Sequence, residues 1–306
     1  MSDFSLLGFD FSRVRPEDQE AISYFLKRYP QPLSGYTYST LEAWRAFSSY
    51  DRNQPPPETL LIAYQPDPAT PPALLQPVGD FPPSLQDRIF REAATLDYPL
   101  TFVGVTGRFM EQYPEFVSRF SVHEERSYAQ YLYRTEDLAE LRGRKYSKKR
   151  NLIAQARNSY VWELHSLTEE LTGKCFEVLE SIREQEQPLV EGMLVRELDA
   201  LGTTLRNIRR LGQQGLLVTV DGRPAAFAIF EAINPTTVTV HFERALRSYK
   251  GLYQVVNQET ARIVQSQGFE FINREEDVGD EGLRSAKMSY HPCELVPAWE
   301  LIWNRL

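Results

Sequence analysis

Cysteine is nearly absent from the 306 residues: there are two, Cys175 and Cys293. They form neither a CxxC pair nor a zinc-ligand pattern, so a disulfide framework and a clustered metal site of that kind are excluded. Two isolated thiols in a chain this long read as buried and inert, in a reducing compartment. Histidine is scarce as well. His123, His165, His241 and His291 are scattered, none at HExxH spacing, and no structural metal is expected. No stretch approaches ~18 uninterrupted apolar residues, so no integral membrane segment is expected. The opening MSDFSLLGFDFSRVRPED lacks a basic region followed by an apolar one and does not read as a signal peptide. The expected location is the cytoplasm. An excess of positive charge is missing too: 34 Lys and Arg face 42 Asp and Glu, a formal charge of -8. That excludes a generally basic, duplex-coating protein but leaves room for a local basic stripe that binds RNA.

What is present is ordinary globular material, 42% hydrophobic and 25% charged, long enough for two domains. FDFSRVRPEDQEAISYFLKRYP reads as a strand and a helix, with Pro16 in the first turn. STLEAWRAF offers a second helix with Ser39 as cap. ETLLIAYQ and PALLQPVG read as strands around the turn PDPATPP. A helix (PPSLQDRIFREAATLD), a strand (LTFVGVTG) and a further helix (RFMEQYPEFVSRF) follow. SYAQYLYR then reads as a strand, and TEDLAELRGRKYSKKRNLIAQAR as one long helix capped by Thr135. VWELHSL is a strand, followed by two helices. LLVTVDGRPAAFAIFEAI is a hairpin turning at Asp221-Gly222, a type I′ signal. TTVTVHFERA, GLYQVVNQETARIVQSQG and FEFIN read as strand, helix and strand, and ELVPAWELIWN as a last strand. Each half thus repeats an order of helices, hairpin, strand, helix and strand. This predicts two related α/β units with mixed sheets, bounded at 1–125 and 126–306.

Three segments of the second half concentrate chemistry. LRGRKYSKKRNLIAQAR crowds Arg142, Arg144, Lys145, Lys148, Lys149, Arg150 and Arg157 into one short stretch of an acidic chain. Like charges at helical spacing repel, so an anionic partner (phosphate, RNA backbone or lipid headgroup) is one reading and a solvated face the other. HFERALRSYKGLYQVVNQE runs from a strand into a helix at Lys250-Gly251. Amides at such a helix start bind anions, and an ordinary strand-to-helix turn is the alternative. NREEDVGDEGLRSAKMSYHP is a charge-dense loop after an apolar strand, a usual ligand position in α/β proteins. Its acids Glu275, Glu276 and Asp277 could supply a base, Arg284 and Lys287 could hold a phosphate, and Tyr290 or His291 could pass a proton. A surface loop tied by salt bridges is the plain alternative.

INREEDVGDEGLRSAKMSYHP, preceded by RSYKGLYQVVNQE and LRGRKYSKKRN, resembles the C-terminal domain of phosphatidylglycerol lysyltransferases. More closely it resembles the soluble bacterial proteins built around that domain without its membrane-embedded half. The resemblance runs in order over residues 126–306, and SRVRPEDQEAISYFLKRYP resembles the opening of the same soluble proteins. It implies a tandem of two GNAT-like acyltransferase folds, as in the Fem peptidoglycan aminoacyltransferases. It also implies transfer of an aminoacyl group from aminoacyl-tRNA to an amine or hydroxyl acceptor. One departure is the missing membrane half, which argues against a lipid acceptor, although peripheral contact with a membrane surface stays open. Another is the turn Ser248-Tyr249-Lys250-Gly251-Leu252-Tyr253. It places Tyr253 where the acetyl-CoA pattern Q/R-x-x-G-x-G/A has its second small residue.

Three functions follow as expectations. In the first, an aminoacyltransferase uses charged tRNA. A carboxylate, Glu243 or Asp277, or else Tyr290 relays the acceptor's proton, and Lys287 or a backbone amide stabilises the oxyanion. Arg144, Lys148, Lys149 and Arg150 hold acceptor-stem phosphates, and Lys250, Gly251 and Arg284 form a further anion site. In the second, acyl-CoA is the donor and a small molecule or peptide amine the acceptor. In the third, the fold is kept for binding alone, a reading favoured by a cleft plugged with Tyr249 or Tyr253.

Overall fold

The computed structural model describes residues 3–50, 58–65, 67, 69–186 and 192–304. In chain order the elements are β1 (Phe4–Leu6), β2 (Phe9–Arg13), α1 (Gln19–Arg28), α2 (Tyr38–Ala43), β3 (Phe47–Ser49), β4 (Thr59–Tyr64), β5 (Ala73–Leu75), β6 (Val78–Gly79), α3 (Pro83–Ala93), β7 (Leu100–Val105), α4 (Gly107–Gln112), α5 (Pro114–Val117) and β8 (Ser121–Glu124). There follow β9 (Gln130–Arg134), α6 (Thr135–Glu140), α7 (Ser147–Ser159), β10 (Trp162–Ser166), α8 (Thr172–Glu186), α9 (Gly192–Asn207), β11 (Gln214–Val220), β12 (Arg223–Asn234), β13 (Thr237–Ala245), α10 (Leu252–Ser266), β14 (Phe271–Asn273), α11 (Glu281–Met288), β15 (Glu294–Val296) and β16 (Trp299–Trp303).

The chain divides into two compact units, 1–130 with 296–306, and 131–295. The first holds a mixed sheet in the order β1-β2-β3-β4-β5-β7-β16-β8, with β6 also on β4. Its core packs Phe11, Phe47, Phe90, Phe102 and Phe116 with Leu301. The halves predicted from sequence, 1–125 and 126–306, place the tail with the second unit. In the structure β16 instead lies between β7 and β8 of the first sheet. Three local expectations also shift. α2 is capped by Thr37, whose hydroxyl accepts from the Thr40 amide, rather than by Ser39. The helix predicted over RFMEQYPEFVSRF breaks before Pro114, which has no N–H to continue the ladder. Part of the turn PDPATPP lies outside the described residues.

The second sheet runs β10-β11-β12-β13-β14-β9-β15. The β11–β12 hairpin turns at Asp221 (φ 50°) and Gly222 (φ 76°), the two positive angles that a two-residue I′ turn requires. Even-numbered positions of β11 and β12, including Leu216, Val218, Ala226, Ala228 and Phe230, join Val255, Val256 and Val264 of α10 in one core. The long helix predicted over 135–157 is two. Leu141 is left-handed (φ 51°) and Gly143 lies at φ 87°. The Arg150 guanidinium donates to the carbonyls of Leu141 and Gly143 (the latter at 2.7 Å), supplying partners at the end of α6. Thr135 is the first residue inside α6 and Arg134 its cap. Cys175 is buried, which pushes its thiol up to about 12. Cys293 departs from the expectation of two buried thiols. It is exposed, and its Sγ sits 3.3 Å from the Leu132 carbonyl.

Candidate functional site

β13 pairs with β14 over three residues only, the last pair being Thr239 and Asn273. β13 runs on to Ala245, whereas the chain after Asn273 turns into a loop. Beyond that point side chains cross the gap between them. His241 Nδ1 lies 2.8 Å from a Glu275 oxygen, and its Nε2 lies 2.7 Å from Glu231 on β12. Two residues further along β13, Glu243 meets Arg274 at 2.9 Å. His241 is the extra residue of a β-bulge: Ile229 faces Phe242 and Phe230 faces Val240, which leaves 241 without an opposite number. Burial alone would drive its imidazole towards the neutral form. Hydrogen bonds to two carboxylates outweigh burial, and its pKa is raised to about 10.

Around Arg274 lies a dense polar cluster. The Asn257 amide, turned so that its oxygen faces the guanidinium, accepts from Nη1 (2.9 Å) and Nε (3.3 Å). Arg274 sits 5.2 Å from the centre of the Tyr290 ring, and Lys149 Nζ lies 3.9 Å from the same ring. Lys149 donates to the Ser289 hydroxyl at 2.6 Å and forms no ion pair among the described residues. Its own burial, and then the charge of Arg274, push its ammonium below the usual lysine range. Burial holds the Tyr290 phenol well above its ordinary value, so it remains a protonated donor near neutrality.

The loop that carries Arg274 is anchored from below. Asp277 is fully buried and accepts from Tyr131 (2.6 Å), from Arg284 Nε and Nη2 (both 2.9 Å) and from the Gly279 amide (2.9 Å). Arg284 above all, with the other donors, holds its carboxyl well below the usual carboxylate range. Lys287 is buried and donates to the backbone carbonyls of Arg274 (2.7 Å) and Glu276. Burial, with Arg274 adding to it, pushes its pKa down to about 8. Tyr133 donates to the Lys287 carbonyl at 2.9 Å. A carboxylate this strongly held takes up no proton near pH 7, and a lysine already bonded to two carbonyls makes a brace.

Of the residues singled out from sequence, Glu243, Lys149 and Tyr290 gather around Arg274. Asp277, Arg284 and Lys287 form the adjoining brace. Lys250 and Gly251 lie against α7: the Lys250 amide donates to the Tyr160 hydroxyl (3.2 Å), and a side chain at Gly251 would meet the Leu152 carbonyl oxygen at 2.2 Å. The glycine is thus demanded by helix packing at φ 89°. Tyr249 stands edge-on to Tyr160, and Tyr249 and Tyr253 both pack on the core. Arg144 and Lys148 are exposed, while Arg150 is committed to the end of α6. Arg274, Asn257 and the Glu231–His241–Glu275 trio carry no motif spacing. The charge density of the REED loop after β14 pointed to Arg274 and Glu275; nothing in the sequence singled out Asn257, Glu231 or His241.

The sequence matches the family Phosphatidylglycerol lysyltransferase, C-terminal, over residues 26–301. No curated protein matches it. Among solved structures, a conserved protein of unknown function from Bacteroides thetaiotaomicron superposes with a TM-score of 0.87 at 28% identity, over 97% of this chain and 100% of that one. The C-terminal domain of a protein described as a lysylphosphatidylglycerol synthetase, from Agrobacterium fabrum, gives 0.69 at 14% identity, over 94% and 92%. A tandem GNAT protein from the clavulanic acid biosynthesis pathway gives 0.55 at 11%, over 97% and 99%. Among the described residues no helix is long and apolar enough to cross a membrane. The fold is a tandem of two GNAT-like units, that of an aminoacyltransferase-like or GNAT-like acyltransferase, and the chain belongs to the family of the phosphatidylglycerol lysyltransferase C-terminal domain.

Proposed function

We propose that the chain is an aminoacyltransferase that moves an aminoacyl group from aminoacyl-tRNA to an amine or hydroxyl acceptor. The observation that carries this is the Lys149–Tyr290–Arg274–Glu243 cluster beside the parted strands. It contains two cations, one carboxylate and one buried phenol. A half-buried ammonium without a carboxylate is costly to keep unless it meets negative charge during function. In the reaction the acceptor nitrogen or oxygen bonds to the ester carbonyl carbon, and negative charge builds on the carbonyl oxygen. Lys149 provides the positive charge for that oxygen and Tyr290 a hydrogen-bond donor. Glu243 takes the acceptor's proton. The ester C–O bond then breaks, and the proton passes to the departing ribose oxygen. This shifts the oxyanion role from Lys287 to Lys149 and leaves Glu243 rather than Asp277 as the base.

Exposed Arg144 and Lys148, without ion pairs among the described residues, would hold acceptor-stem phosphates. The acyl-CoA alternative needs open space and free amides at the Lys250–Gly251 turn. There the Leu152 carbonyl occupies the Cβ side of Gly251, and the Leu252 amide is bonded to the Tyr249 carbonyl at 3.1 Å, which counts against that alternative. The binding-only reading expected aromatic side chains in the cleft. Charged pairs cross the gap instead, and Tyr249 and Tyr253 pack on the core.

The test is binding of uncharged tRNA and of acetyl-CoA, side by side, at ~0.15 M salt, where exposed charges are already substantially screened. The expected result is tRNA binding that weakens steeply with salt and no acetyl-CoA binding. The double variant R144E/K148E should then lower the logarithmic salt slope by roughly 2. Acetyl-CoA binding without tRNA binding would make the chain an acyl-CoA-dependent enzyme.

A further inference from the structure

The bridge at His241 takes no part in the reaction scheme, yet it joins β12 and β13 to the loop that carries Arg274. On its β9 side, the segment after β14 is held by backbone: the Arg274 amide donates to the Tyr131 carbonyl (2.9 Å), and the Tyr131 amide donates to the Glu275 carbonyl (3.2 Å). On its β13 side backbone pairing with β14 ends at Thr239 and Asn273, and two residues further along each chain the Glu275 carboxylate meets His241. Glu275 is left-handed at φ 57°, a conformation that a residue with a side chain keeps only when its surroundings enforce it. Here the enforcing contacts are its amide on Asn273 Oδ1 (2.7 Å), its carbonyl on Tyr131 and its carboxylate on His241. The preceding residue is Arg274, whose guanidinium reaches Glu243, Asn257 and the Tyr290 ring. Both ring nitrogens of His241 face carboxylate oxygens, so the ring is itself the held group and neither nitrogen is offered to a substrate.

We propose that His241 is a positioning residue: held between Glu231 and Glu275, it locks the backbone turn at Glu275 and so aims Arg274 into the Glu243–Tyr290 cluster. The importance of that aim rests on the reading of the cluster as the reacting centre. The mechanical link does not, because it can be followed in the resting protein without tRNA or any acyl donor.

The experiment is NMR of the guanidinium Nε–H groups in the full chain. Arg274 Nε–H is bonded to Asn257, and Arg284 Nε–H is bonded to Asp277 in the same loop and serves as the internal control. In wild type both signals should be protected. In His241→Gln the Arg274 signal should exchange faster, on the order of tenfold or more, while the Arg284 signal stays protected. Glu275→Gln should reproduce this selective loss, and it provides the readout if His241→Gln does not fold. Retention of the Arg274 signal in either folded variant would overturn the proposal. So would equal loss at both arginines, which means a general loosening in place of an aimed side chain. A failed tRNA-binding experiment would leave these signals unchanged, so failure of the aminoacyltransferase reading and failure of the positioning role are told apart.

Discussion

His241 has a charge state that follows from its two partners, and a stability consequence follows with it. Its folded pKa, about 10, lies above the ordinary 6.5. Between those values the folded chain binds the proton more tightly than the unfolded one. The stabilisation is fully present below about pH 6.5 and is lost as pH rises through about 10. Lys287 acts in the opposite direction: with its pKa lowered from 10.5 to about 8, it adds stability as pH climbs through that window. The informative quantity is therefore the difference in Tm between wild type and His241→Gln, which cancels Lys287. It should be large at pH 6.5 and shrink towards pH 10; a constant gap would mean a neutral ring throughout. Little of this residue-scale detail is visible in the sequence. Four scattered histidines look alike, and 241 acquires its role because a bulge turns it towards Glu231 while Glu275 arrives from 34 positions away. The REED loop was visible as a density of charge. Which acid meets which base was not, because partners there are set by left-handed residues such as Glu275 and Val278.

Helix periodicity located α7 and α10 but not the contact between them. Gly251 stood out as a glycine before a helix, a position equally suited to binding a phosphate or to an ordinary turn. Its neighbours decide the matter, because the Leu152 carbonyl occupies the place where a Cβ would go. Gly251→Ala should therefore destabilise the chain by about 2–4 kcal/mol, combining overpacking with the cost of a left-handed alanine. Urea unfolding checks this: a loss under about 1 kcal/mol, or a gain such as Gly→Ala gives through the unfolded chain where the native backbone suits alanine, would mean that α7 yields freely. The break between α6 and α7 was hidden for a related reason. Residues 141–146 keep a composition compatible with helix, and the interruption is fixed by Arg150 reaching back to the carbonyls of Leu141 and Gly143. The basic cluster consequently divides into groups with different duties. Arg150 braces a helix end, Lys149 enters the candidate site, and Arg144 and Lys148 remain in solvent.

At the scale of the whole chain, the alternation of strands and helices was legible in outline, and two similar units follow from it, but the short strands β1, β3 and β8 were not, and α11 lies within the stretch that reads as a charge-dense loop. Sheet membership was not legible at the end. ELVPAWELIWN reads as one strand, yet Pro297 cannot donate to a ladder, and the stretch is two strands in two sheets. β15 lies beside β9 in the second sheet, and β16 runs antiparallel to both β7 and β8 in the first. Leu301 of β16 is fully buried in the first core, and Trp303 lies 6.0 Å from Phe90. Leu301→Ala should accordingly cost about 2–5 kcal/mol, the range for a buried leucine. A sharper test is a chain that stops at Pro297. Without β16, β8 loses the strand that joins it to the sheet, and β7 is left with a bare edge. The second unit keeps its own seven strands and its own core. Hydrogen exchange should then rise sharply at the amides of β7 and β8, while those of β11, β12 and β13 stay protected. If protection is lost across both sheets together, the two units unfold as one cooperative body, and the tail supports far more than the sheet it completes.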